Sequence, residues 1–206
     1  MEKTKPHCTI DQLMRVLKNA NIDDEIVQKA VERAKVSHRH DYRDDGQPYL
    51  TQHVFPLTQE VYNYFAGTED VKTAVVVTLL HDVPEKDHYY DQKRLEADFG
   101  KEIADLVMFL VKPVKNTQIR TQKDRHDEQV EFMQKIRESP LLCQVIKVLD
   151  RNNNLACTDV SRDPLKYERF VQDTIELYLP LAQKIDKTLA TAMEKETARI
   201  LRELHT

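Results

Sequence analysis

A chain of 206 residues with a net charge of -4 is long enough to bury a substantial core and has no positive excess for gripping nucleic acid or an anionic membrane. Only 3 Gly, set against long stretches of Leu, Glu, Lys, Gln and Ala, favour helix throughout. Cys8, Cys143 and Cys157 lack Cys-x-x-Cys spacing and read as reduced thiols of a cytoplasmic protein, the start Met1–Pro6 has no apolar leader, and no stretch approaches the roughly 18 apolar residues of a membrane span.

Thr9 with Gln12 forms a capping-box pattern that opens a first helix through about Lys18. Asp23 or Asp24 starts a second, with Ile26, Val27, Ala30, Val31 and Ala34 on one face. The polar stretch from His38 to Pro48 reads as a turn-rich loop. Helices are expected at about 50–66, 69–83, 91–112, 124–138, 140–155, 164–179 and 181–204. The charged connection from Lys112 to Lys123, containing Pro113, has the character of a flap. No alternating run makes a convincing strand, and no linker or repeat divides the chain. The expectation is one all-α domain over residues 1–206 with about eight to ten helices.

Chemistry enters at His81 and Asp82, which end the apolar run from Ala74 to Leu80. A buried, unpaired carboxylate there costs several kcal/mol, and a divalent metal removes that cost. Pro84 predicts that the helix ends or kinks near Val83, so the pair falls in a last turn whose carbonyls favour a cation. His53 lies in the apolar-periodic segment Tyr49–Phe55. Asp150 ends a second apolar run, Leu141–Leu149, and Asn154 follows one helical turn later on the same face. Each has a bland alternative. His53 can be a satisfied core histidine, Asp150 and Arg151 a buried ion pair, and His81–Asp82 a cap on nearby backbone groups. One ion accounts for both buried acids at once.

From about Ala34 to Ala182 the chain then resembles the His-Asp (HD) hydrolase domain of RelA/SpoT-type enzymes, which degrade the alarmone ppGpp. The segment from Arg43 to Leu50 is similar to Arg-x-x-Gly-x-Pro-Tyr-Ile, with His53 just after it. Leu79-Leu80-His81-Asp82-Val83-Pro84-Glu85 is similar to Leu-Leu-His-Asp-x-x-Glu. Lys147 to Asn154 resembles Lys-Leu-Ala-Asp-Arg-Leu-His-Asn, and Tyr178-Leu179-Pro180-Leu181-Ala182 resembles Tyr-Ala-Pro-Leu-Ala. In length the chain is similar to the single-domain small alarmone hydrolases.

The resemblance implies a compact multi-helix HD-domain fold holding one divalent metal, typically manganese, on His53, His81, Asp82 and Asp150. It implies Glu85 as general base for a metal-activated water, with Asn154 bonding that water or a phosphate oxygen. Arg43 would stack on a purine or pair with phosphate. Lys166 resembles a phosphate-binding lysine, its bland alternative being a solvated helix face. Tyr49 belongs to the substrate-binding segment. The implied reaction removes the 3′-pyrophosphate of ppGpp or a relative such as ppApp, so the partner is a purine nucleotide and neither a nucleic acid polymer nor a membrane. Nothing in the sequence specifies an oligomeric partner.

Four departures bear on that reaction. Lys86 stands where the family usually has an acid after Glu85, which weakens the base or recruits Asp87. Pro84 replaces a helix-compatible aliphatic residue. Tyr49 to His53 is one residue longer than the family spacing, about 100° of helix rotation, so either a local bulge restores His53 or the metal site differs. Ala156 and Asp44 each replace a common cation. These differences keep two alternatives open: an NADPH or nucleotide phosphatase of the same fold, and a catalytically weak alarmone-binding or antitoxin-like module.

Overall fold

A computed structural model of the chain describes residues 5–112 and 121–206. The flap expected between Lys112 and Lys123 lies, over residues 113–120, outside the described residues. These contain twelve α-helical segments and two π turns. Their one isolated β-bridge is antiparallel, between Tyr42 and Pro48. No helix among them is long and apolar enough to cross a membrane. The chain divides into two compact units, Met1–Val111 and Lys112–Thr206.

In the first unit, α1 (Ile10–Asn19) opens on the expected capping box, Thr9 N donating to Gln12 Oε1 at 2.7 Å and Gln12 N to Thr9 Oγ1 at 3.2 Å. Asp24 caps α2 (Glu25–Ser37) through the Val27 amide. A π turn, Leu50–Val54, runs directly into α3 (Phe55–Phe65). Then come α4 (Val71–Leu80), α5 (Val83–Lys86), α6 (Gln92–Phe99) and α7 (Lys101–Leu110). Every residue from Ala74 to Leu80 is buried, so α4 is enclosed on all sides from Ala74 onward and packs against α2, α3 and α7.

Two of the helices expected in this unit are broken. The one placed over 69–83 stops at Leu80, and Pro84 sits in the first turn of α5, where a missing N–H costs no helical bond. The one placed over 91–112 is split at Gly100, whose φ of 85° and ψ of 161° belong to a region open essentially to glycine alone. An added Cβ there meets nothing within 4 Å, so the whole cost of substitution is backbone strain. Gly100→Ala is therefore expected to lower stability by about 1–3 kcal/mol, read as an earlier urea midpoint at unchanged m-value.

In the second unit, α8 (Gln122–Glu138) starts on a Thr121/Asp124 capping box, and α9 (Leu141–Cys157) buries one face against α11 (Leu179–Ile185) and α12 (Lys187–Leu204). Between α9 and α11 lie α10 (Pro164–Asp173) and the second π turn, Thr174–Tyr178. Arg151 locks this region. Its guanidinium lies 3.7 Å and 4.2 Å from the ring centroids of Phe170 and Tyr178 and donates to Phe170 O and Thr174 Oγ1. Burial pushes the Cys143 thiol up to about 12, as suits an inert structural cysteine. The helix expected over 181–204 breaks at Asp186, whose carboxylate caps α12.

The two π turns share a cause. Pro56 and Pro180 each lie two residues beyond the turn's last residue. A proline inside a helix clashes with the carbonyl four residues earlier, here those of Gln52 and Glu176. Both carbonyls lie within the wider π turn, which relieves the clash.

Candidate metal centre

The first π turn decides the register of the site. It carries one more residue per turn than an α-helix, with Phe55 N bonding back to Leu50 O. His53 lies within this turn. That ring is fully buried, with Tyr49 and His81 at centroid distances of 4.8 and 5.7 Å.

His81 follows the last residue of α4, and its Nδ1–H donates to the Thr78 carbonyl at 2.7 Å. A carbonyl only accepts, so Nδ1 carries a proton and Nε2 is the ring atom able to ligate. The cap on Thr78 therefore does not exclude the metal reading of His81. Asp82 Oδ2 lies 3.2 Å from His81 Nε2 and accepts the Tyr49 hydroxyl at 2.6 Å. Burial pushes the Asp82 carboxyl up, but His81, His53 and the Tyr49 hydroxyl outweigh it and hold the group well below the usual carboxylate range. Asp82 is therefore ionised. One ligand atom from each of His53, His81 and Asp82 lies within 4.8 Å of the other two. Two imidazoles and one carboxylate form a donor set that fits a divalent transition metal.

Tyr49 is the hub of a second layer of groups. Its ring lies 5.3 Å from that of His38, and the Arg43 guanidinium and Lys86 ammonium approach it to 5.7 and 5.5 Å. A short turn orients this segment, with Arg43 N bonded to Gln47 O, Tyr49 N to Asp41 O, and Gly46 at φ 80°. His38 is buried and donates through Nδ1 to Asp41 Oδ2 at 2.9 Å; the same oxygen lies 3.4 Å from Lys86 Nζ. Burial lowers the His38 pKa in spite of Asp41, so the ring is neutral near pH 7. His38 and Asp41 escaped the sequence reading. The stretch His38-Arg39-His40-Asp41 was visible, but its polarity read only as a loop.

The remaining expected residues divide by unit. Glu85 projects from α5 and is exposed. Asp87 lies 3.3 Å from Arg33 Nη2. In the second unit, Asp150 accepts from Lys147 Nζ at 2.8 Å and from Asn154 Nδ2 at 2.7 Å. Asp150 and Asn154 therefore do share one face of α9. Lys166 stands in the first turn of α10, its ammonium 5.2 Å from the Tyr167 ring centroid.

Tyr49→Phe tests the hub. Loss of an outer hydrogen bond to a ligand typically costs 10–100-fold in metal affinity. A drop of about that size is expected in chelator-competition titration, with the fold intact by circular dichroism.

The HD domain family profile matches residues 30–187. The chain belongs to the HD domain family. It is 30% identical over 152 residues to guanosine-3′,5′-bis(diphosphate) 3′-pyrophosphohydrolase of Haemophilus influenzae, covering 74% of this chain and 21% of that protein. It is 29% identical over 154 residues to the bifunctional (p)ppGpp synthase/hydrolase SpoT of Escherichia coli, covering 74% and 20%. The chain thus spans about a fifth of these relatives' length. A solved structure reported with the finding that a metazoan ortholog of SpoT hydrolyzes ppGpp superposes with a TM-score of 0.64 at 19% identity, over 85% of this chain and 96% of that one. At that identity the likeness is one of fold, and it establishes the all-α HD architecture.

Proposed function

We propose that this protein is a metal-dependent phosphohydrolase that removes the 3′-pyrophosphate of ppGpp or a close relative such as ppApp, and that residues 1–206 act as one HD domain, since the matched span runs through the boundary between the two units. The observation that carries the reading is the convergence of His53, His81 and Asp82. Asp150, the acid that α9 delivers with Asn154 bonded to it, supplies the fourth ligand. The ion is manganese, and when bound it lowers the pKa of water and offsets the charge that builds on the attacked phosphate. Glu85 takes the proton from the attacking water. Asn154 orients that water or a phosphate oxygen with its amide. Arg43, held at the Tyr49 ring, stacks on the purine. Lys166 and Lys86 meet phosphate oxygens, Lys86 standing where relatives have an acid. Tyr49 aligns the Asp82 carboxylate and borders the substrate, and Asp87, one position beyond Lys86, is the second acid that acts on the attacking water. The site works in a cytoplasmic protein.

The test is to incubate purified protein and manganese with a nucleotide panel and separate the products. Pyrophosphate released from an alarmone is the expected outcome. Orthophosphate from NADPH or another monoester replaces the reading with a phosphatase, and tight binding without turnover replaces it with a sensor or antitoxin-like module.

A further inference from the structure

The second unit contains an open cavity of ≈ 710 Å³ whose walls are unlike the rest of the surface. Five cations line it: Lys112, Lys123, Arg125, Lys166 and Arg169. The chain as a whole carries a net charge of -4, so this is a local concentration and not a sample of a basic surface. Three acids also line it, but two are engaged at one edge. Asp173 bonds His126 Nδ1 at 3.0 Å, and Glu176 accepts from Gln172 and lies 3.9 Å from His126 Nε2. The third, Glu128, is buried. Lys123, Arg125 and Arg169 make no ion pair among the described residues. Lys123 and Arg125 also stand in the first turn of α8, and Lys166 in the first turn of α10, where the helix field favours anions and opposes cations. An anion spanning these helix starts is favoured both by the cations and by the helix field.

We propose that this cavity binds an oligophosphate, with Arg125 and Arg169 as its principal anchors and Lys123 beside them. Planar guanidinium groups pair bidentately with phosphate oxygens, and two of them beside lysines match a chain of phosphates better than a single one. The volume admits a nucleotide-sized ligand. The chemistry has two sources, the phosphates of the nucleotide substrate or a separate oligophosphate. Only the first rests on the function proposed above.

The experiment uses the full chain and inorganic triphosphate as probe, titrated calorimetrically in metal-chelating buffer. Saturable one-to-one binding is expected, weakened at least tenfold in a Lys123→Gln, Arg125→Gln, Arg169→Gln triple variant and unchanged in Lys195→Gln, an exposed lysine on α12. Equal binding by wild type and triple variant overturns the proposal, whatever the nucleotide panel shows. Binding lost in the triple variant while no nucleotide is hydrolysed sustains the cavity and sinks the hydrolase. Where hydrolysis occurs, competitive inhibition by triphosphate assigns the cavity to the substrate, and non-competitive inhibition or activation assigns it to a separate ligand. Circular dichroism of the triple variant confirms an intact fold.

Discussion

Asp82→Asn is expected to abolish stoichiometric metal uptake and to reduce turnover by more than about 100-fold. Groups that merely support a metal ligand are worth roughly 10–100-fold, and Asp82 is itself one of the anionic donors of the proposed set, so its loss must exceed theirs. The substitution keeps the shape of the side chain and an oxygen for the Tyr49 hydroxyl, now 2.6 Å from Oδ2. It removes only the charge. The apo protein is therefore expected to stay folded, and elemental analysis of the purified variant reads the metal loss directly. A variant that retains one equivalent of manganese would refute the ligand assignment.

What made Asp82 legible is local: an acid next to a histidine at the end of an apolar run announces an unresolved charge without knowledge of the fold. The same logic exposed Asp150 at the end of the apolar stretch of α9, and the Asn154 bond to it follows from helical spacing alone. The Thr9–Gln12 box was equally readable, because its two partners lie within one turn. The register of His53 was not. A regular helix turns its side chains by a fixed angle per residue, and the π turn that carries His53 departs from that angle. The clue was Pro56, which stands at the same offset from its π turn as Pro180 does from the other. The splits at Gly100 and Asp186 were missed because apolar periodicity continues across them.

Partners far apart in sequence stayed hidden altogether. Arg33 and Asp87 are 3.3 Å apart across three intervening helices of the chain, and no pattern in the sequence joins them. Arg151 was read against its neighbour Asp150, whereas its guanidinium is clamped by Phe170 and Tyr178. Local pattern therefore singles out the candidate ligands and not the groups that position them. His38 and Asp41, in the layer beside Tyr49, belong to the second kind.

That layer bears on the last expectation, because it holds the departure at Lys86. Glu85→Gln is expected to lower kcat by about 10²–10⁴-fold, the usual range for a lost general base, while leaving metal content unchanged. Glu85 is exposed on α5, and the substitution disturbs no packing. Lys86→Asp separates the roles of the two neighbours. Its ammonium lies 3.4 Å from Asp41 and 5.5 Å from the Tyr49 ring centroid, so it is already held beside the metal cluster. A hydrogen bond to a charged group contributes about 1.5–3 kcal/mol, so a lysine that meets substrate phosphate gives Lys86→Asp a KM raised at least about tenfold with little change in kcat. A rise in kcat at constant KM would instead mean that the lysine silences an otherwise competent base. Steady-state kinetics of the two variants on the nucleotide that wild type cleaves best distinguishes these outcomes, since one moves kcat and the other KM.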